Sequence, residues 1–158
     1  MDVENFERHI KVAKLLEEAG KASGAIREYE AATSLYQGDL LSDDPYEEWP
    51  VIEREHLRIA YLDMVDRLSQ IYFAQEHYVA CIALCQRILQ RDSCREDAHR
   101  RLMRCYSHQG QTHLALRQYQ ICVETLQTEL DIEPEPATNQ LAEQIRQRKR
   151  IDSVTQMD

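Results

Sequence analysis

Glycine and proline are scarce in this 158-residue chain, four of each, so it has few places to punctuate strands or build long irregular loops. Aromatic residues make up only 7% of it, and no stretch approaches the roughly 18 consecutive apolar residues that a membrane span needs. The opening Met1-Asp2-Val3-Glu4-Asn5-Phe6 lacks the cationic start and apolar run of a secretory signal. These features lead us to expect a soluble, cytoplasmic chain without membrane contact. Basic residues are outnumbered 28 to 19, for a formal charge of −9, which repels phosphate backbones and disfavours direct nucleic-acid binding by this segment. Five cysteines, an odd number, argue against a disulfide framework. What remains, a 30% charged composition rich in Glu, Arg, Gln, Leu and Ala, is the composition helices tolerate best. The length is enough for one domain or repeat array with a real core.

Internal repetition organises the chain. A shift of 90 residues lays Gly20 on Gly110, Ala25 on Ala115, Arg27 on Arg117 and Tyr29 on Tyr119. A shift of 34 lays Arg67 on Arg101, Leu68 on Leu102, Tyr72 on Tyr106 and Gln86 on Gln120. Together the two shifts imply three units of 34 residues, the first separated from the second by an insertion of 22 residues around positions 36–50. A 34-residue period is that of the tetratricopeptide repeat, a helix-turn-helix unit that buries its apolar faces only against a stacked neighbour. The third unit resembles it best, with Leu102 and Tyr106 on helix A, Gly110 in the turn, Ala115 as the small residue of helix B and Tyr119 one turn later. Cys81 fills the slot of Ala25 and Ala115.

The expected fold is all-α: a tetratricopeptide-like array of three helix-turn-helix units spanning one domain, 1–158, with a C-terminal capping helix at about 137–149. The other helices are expected at about 3–19, 22–37, 50–74, 78–91, 95–109 and 112–130. Short polar turns, Ala19-Gly20-Lys21, Gln75-Glu76-His77 and Gln109-Gly110-Gln111, permit only antiparallel neighbours. Gly38-Asp39 offers a positive-φ residue at the end of the second helix, and Pro134-Glu135-Pro136 stops the sixth. The terminal helix, with Leu141 and Ile145 on one side, covers the end every solenoid exposes.

Catalytic signatures are missing: there is no Gly-rich phosphate loop, metalloprotease helix motif or nucleophile elbow, and no enzyme, metal or cofactor is expected. His77, Cys81 and Cys85 share a helix face at a spacing of four that would suit zinc, but the two cysteines coincide with packing positions of the repeat and are read as core thiols. The acidic residues Asp39, Asp43, Asp44, Glu47, Glu48, Glu53 and Glu55, answered only by Arg54, form either a solvated loop or a docking surface for a basic partner. Trp49 is read as a wedge holding this insertion on the core, and the basic cluster Arg146, Arg148, Lys149 and Arg150 as the favourable end of a helix.

Arrays of this kind bind through the face lined by their A helices. That face would display Glu7, Lys14 and Glu17 in the first unit, then Asp63, Asp66, Gln70 and Phe73, then Asp97, Arg100, Arg104 and His108. The last eight are the candidate partner-binding residues, with a peptide or a neighbouring domain as occupant, unless the chain's own insertion or terminal helix fills the groove.

A narrower resemblance covers nearly the whole chain. Asp2-Val3 with Phe6, the run Tyr36-Gln37-Gly38-Asp39-Leu40-Leu41, Tyr46, Trp49, Arg54, Arg87-Ile88-Leu89, the run Glu96 to Met103 with His99-Arg100-Arg101-Leu102, and Ala115 through Tyr119 resemble the bacterial transcriptional activator domain. Ser93 departs from the proline usual there. The resemblance implies a non-catalytic module of antibiotic-pathway-type regulators. Its expected partners are protein: a winged-helix DNA-binding domain of the same regulator, a second copy, or the transcription machinery. Sensing of a small molecule or nucleotide in the groove is the competing expectation. Within the motif, Glu96 and Arg100 can pair along one helix, while His99 and Met103 face the neighbouring unit; Trp49, Arg54 and Tyr119 complete the structural set.

Overall fold

The computed structural model describes residues 3–40 and 50–156, with side chains described from 3 to 37 and from 50 to 148. Among these residues the chain consists of helices and turns only: α1 (Val3–Glu18), α2 (Ala22–Leu40), α3 (Val51–Ala74), α4 (Tyr78–Arg91), α5 (Glu96–His108), α6 (Thr112–Leu130) and α7 (Pro136–Gln156). None is long and apolar enough to cross a membrane. The all-α fold inferred from the sequence is therefore present.

Three turns close the A helices in one way. Gly20 and Gly110 take positive φ, 74° and 76°, and Glu76 takes 62° at the equivalent position. In each case the next residue's N–H reaches back five positions: Lys21 to the Leu16 carbonyl at 2.8 Å, His77 to Tyr72 at 2.9 Å and Gln111 to Tyr106 at 2.8 Å. This left-handed cap satisfies carbonyls the helix end would otherwise strand, and glycine adopts it without a Cβ penalty. Asp131, φ 53°, also ends α6 in the left-handed region, but with a cap one residue longer: the Ile132 N–H reaches back six positions to the Leu126 carbonyl at 3.4 Å.

The chain divides into two compact units, Met1–Ile71 and Tyr72–Asp158. In unit 1 the core is aromatic. The Tyr36 and Tyr61 rings stack with centroids 4.0 Å apart, and Phe6 lies against Tyr36 at 5.9 Å. Ala25 and Ala32 are fully buried and let α2 approach its neighbour. Beside them Arg67 joins three helices: it donates to the Tyr29 hydroxyl at 3.1 Å and pairs with Glu17 at 2.5 Å. Burial raises the Tyr29 phenol above its usual value, so it stays protonated and can also donate to Glu17, 3.3 Å away.

Unit 2 has a core of thiols and aliphatic side chains, among them Ile88, Leu102, Met103 and Leu126. Cys81, Cys85, Leu102 and Cys105 form one buried cluster, with Tyr72, Phe73 and Tyr78 around it. Met103, Ala115, Ala142 and Ile145 form another, where α5, α6 and α7 meet.

Two sequence expectations are corrected. The second helix runs through Gly38-Asp39 to Leu40, so the stop expected at Gly38 is not where it ends, and the first five positions of the expected insertion are helical. Tyr36 is the reason: buried in the aromatic stack, it ties the last turns of α2 to α3. The final helix continues to Gln156, past the expected 149. The wedge at Trp49 and the acidic positions 43–48 lie outside the described residues.

Candidate partner-binding site

The A-helix residues expected to meet a partner divide into those the fold holds and those it leaves open. In unit 1, Asp66 is buried and accepts from the Gln70 amide at 2.8 Å, while Gln70 itself is exposed one turn further on. Asp63 is exposed beside a hollow of about 260 Å³ between α1 and α3 that Ile10, Lys14, His56, Ile59 and Met64 also line. Glu17 is engaged by Arg67 and Tyr29. Glu7 lines a second hollow, about 170 Å³, with Val3, Glu53 and Leu57. Arg54 stands in the first turn of α3, its N–H on the Pro50 carbonyl at 3.1 Å.

In unit 2, Phe73, half-buried, meets Tyr78 and His108 edge-on, each at 5.7 Å, and His108 stacks flat on Tyr78 at 5.1 Å. Asp97 sits in the first turn of α5, where a carboxylate complements the helix dipole, and pairs with Arg95 at 3.3 Å. Arg104 and His108 remain exposed, one turn apart, on the rim of a cleft of about 220 Å³ between α5 and α7. Ser107, Leu141, Gln144, Ile145 and Arg148 complete its lining. Partial burial, then the charges of Arg100 and Arg101, pushes the Arg104 guanidinium below its usual value.

Arg100 belongs to the fold. Its guanidinium reaches Thr138 at 2.9 Å and Glu135 at 3.2 Å, and it also makes the ion pair expected from the sequence with Glu96, at 3.9 Å. The Glu96 carboxylate instead accepts from the Glu135 backbone N–H at 2.9 Å and the Thr138 hydroxyl at 2.7 Å. Thr138 is fully buried, so this network fastens the start of α7 to α5. The pair was legible in the sequence; its outward reach to α7 was not, although Pro136 at the first helical position marks where that helix begins.

His99 is 2% exposed and uses both ring nitrogens: Nε2 lies 2.8 Å from the Ser93 carbonyl, and Nδ1 2.9 Å from the Gln118 amide. Burial lowers its pKa, which keeps the ring neutral, with Nε2–H donating to Ser93 and Nδ1 accepting from Gln118. It thereby ties the turn before α5 to α6. Met103 is fully buried against Ala142 and Ile145, and Tyr119 donates to Asn139 at 2.6 Å under the Arg146 guanidinium, 5.5 Å from its ring centroid.

The cysteines sit in packing positions. Cys81 occupies the repeat slot of Ala25 and Ala115, and all three are fully buried. The neighbouring Cys105 thiol pushes Cys81 up to about 12; contact with Cys81 and burial raise Cys85 further, and burial takes Cys122 to about 12. All three are protonated thiols at neutral pH. His77 lies exposed at the head of α4, and among the described residues no three His, Cys, Asp or Glu side chains are grouped to hold a metal ion.

A comparison with curated proteins finds no match. The family profile of the bacterial transcriptional activator domain matches residues 1–146, nearly the whole chain. With its turns repeated at the spacing read from the sequence and its motif residues packed between successive helices, the chain belongs to the bacterial transcriptional activator domain family, a regulatory family of transcription factors.

Proposed function

We propose that this chain is a non-catalytic protein-contact module of a transcriptional regulator, acting by packing against a DNA-binding domain or a second copy of itself. In this reading residues 1–158 work as one repeat domain in the cytoplasm, with α7 as its terminal cap and no cofactor. The observation that carries it is the exposure of the A-helix residues: Asp66 is buried and Arg100 is fastened to α7, while Asp63, Gln70, Arg104 and His108 are solvent-exposed even where, as for Gln70 and His108, they also touch a neighbour. Arg104 and Arg148, beside a cleft that Leu141 also lines, suit a protein surface carrying acids. The hollows on these faces, about 170, 220 and 260 Å³, are below the roughly 300–1,000 Å³ of ordinary small-molecule sites, so an effector would have to use the larger hollows elsewhere, about 480 Å³ beside Leu16 and Arg27 and about 370 Å³ beside Leu89 and Gln118.

Fusion of the chain to a heterologous DNA-binding domain, read out on a reporter promoter, tests this. The expected result is reporter activation that falls several-fold in the double variant Arg104→Glu, His108→Ala while the circular dichroism spectrum is unchanged. A reporter that stays silent, together with a melting point raised by a metabolite or nucleotide, would support sensing instead.

A further inference from the structure

The α5/α7 cleft of unit 2 carries charge of one sign. Arg104 on α5 and Arg148 on α7, both exposed, line it from its two walls, and Ser107, His108 and Gln144 add polar groups between them. Among the described residues no acid lines it. The acids described on these two helices are engaged elsewhere: Glu96 with the start of α7, Asp97 with Arg95, and Glu143 with Arg146 at 3.6 Å. Arg104 is instead crowded by Arg100 and Arg101, whose charges, after partial burial, disfavour its own. A chain of net charge −9 thus keeps a cleft whose cations are met by no lining acid. The walls are also fixed to each other, by the Glu96–Arg100–Thr138 network and by Met103 packed with Ala142 and Ile145, so the two guanidinium groups stand on a rigid frame.

We infer that this cleft is a phosphate-monoester site: a phosphoryl group seats between the Arg104 and Arg148 guanidinium groups, with the Ser107 hydroxyl and the Gln144 amide donating to its remaining oxygens and His108 on the rim. Three features select a phosphoryl group over a carboxylate. Its charge of about −2 at neutral pH matches two guanidinium groups, where a single carboxylate leaves one unmatched. Its three terminal oxygens accept the paired N–H groups of each arginine together with a hydroxyl and an amide. A cleft of about 220 Å³, small for a whole effector, holds this group while most of what carries it stays outside. The inference goes beyond the protein-contact reading, because it holds alike for a phosphorylated side chain of a partner and for a phosphate ester of a small molecule. A nucleic-acid backbone is a different case: the net charge of −9 repels a long polyanion, whereas one phosphoryl group responds to charges within a Debye length of about 10 Å.

Titration of the full chain with inorganic phosphate at constant ionic strength, followed by NMR at the backbone amide and arginine Nε–H signals, tests the site. The expected result is a saturable shift at Arg104, Ser107, Gln144 and Arg148, with a midpoint of about 1–10 mM for a few exposed charge-assisted hydrogen bonds, and none with chloride. In the double variant Arg104→Gln, Arg148→Gln the shifts at Ser107 and Gln144 need at least tenfold more phosphate, while circular dichroism shows the helices kept. Lys21→Gln with Arg27→Gln, which removes the cations beside Leu16, leaves the midpoint unchanged. A shift that does not saturate by about 50 mM, a midpoint that the first double variant keeps, or acetate binding as tightly as phosphate overturns the site. A phosphoserine peptide that binds more tightly than inorganic phosphate supports the side-chain source, and a sugar phosphate that does so supports the small-molecule source. Inorganic phosphate that binds while neither ester does overturns the monoester assignment. Failure of this titration leaves the reporter result, and with it the protein-contact reading, untouched.

Discussion

The helix-B position one turn after the small repeat residue is Tyr29 in the first repeat and Cys85 in the second, and the two are buried by different means. Tyr29 carries a hydroxyl into the interior and is met there by Glu17 and Arg67. Cys85 brings a thiol, which needs little hydrogen bonding, and sits among Cys81, Leu102 and Cys105. Arg101, the counterpart of Arg67 at the 34-residue shift, still lies beside it and lowers the thiol pKa against the larger upward effects of Cys81 and burial. The same backbone repeat is thus compatible with an aromatic, hydrogen-bonded interior and with a small, soft one. What the repeat fixes is the size of a few side chains and the cap of each turn. Unit 1 buries its large rings against one another, while the core of unit 2 is built of thiols and aliphatic side chains.

That contrast can be broken by mutation. Tyr61→Ala removes one ring of the stacked pair and should cost about 4 kcal/mol, seen as a lower urea midpoint. Cys85→Ala in unit 2 should cost about half as much, and equal costs would erase the distinction. Next in size, Thr138→Val leaves the Glu96 carboxylate and Arg100 short of a buried partner and should cost about 2 kcal/mol, with hydrogen exchange accelerating first at the start of α7.

Acidification sharpens the comparison from unit 2's side. His99 has a folded pKa below its ordinary value of 6.5, so the unfolded chain binds its proton more readily. Its contribution is complete above about pH 6.5 and is lost as the pH falls through the lower folded pKa. Urea midpoints at pH 7.5 and 5.5 should show this drop, reduced in His99→Gln. The smallest change expected is a gain: Glu76→Gly relieves the one non-glycine among the three equivalent turns and should stabilise the chain by about 1 kcal/mol, whereas Gly110→Ala should cost about as much.

Turn chemistry explains how much of this was legible in the sequence. Gly20 and Gly110, together with the period that places Glu76 on Gly110, position the three A–B turns, and α1 to α6 therefore begin and end within three residues of the expected bounds. The small-residue slot of Ala25, Cys81 and Ala115 was equally readable, because its requirement is steric and local. Interactions between distant helices were not readable in the same way. Asp66 looked like a displayed acid on a one-dimensional helix face, yet it is buried with Gln70 as its partner. Arg100 looked like a groove cation paired along its own helix; it keeps that pair with Glu96 and is also bound by Glu135 and Thr138, 35 and 38 residues away, which takes it out of the groove. Tyr36 fell inside an expected insertion because no repeat counterpart marked it, although its ring is held by Tyr61.

Hydrogen exchange measured at low and high protein concentration tests the central claim, that the displayed parts of the A-helix faces make contact with protein. The account predicts that protection rises, with chain concentration or on addition of a winged-helix DNA-binding domain, in α5 around Arg104 and His108, and stays constant in α4. Protection that changes with neither chain concentration nor an added winged-helix DNA-binding domain, or that rises first in α4, would contradict it.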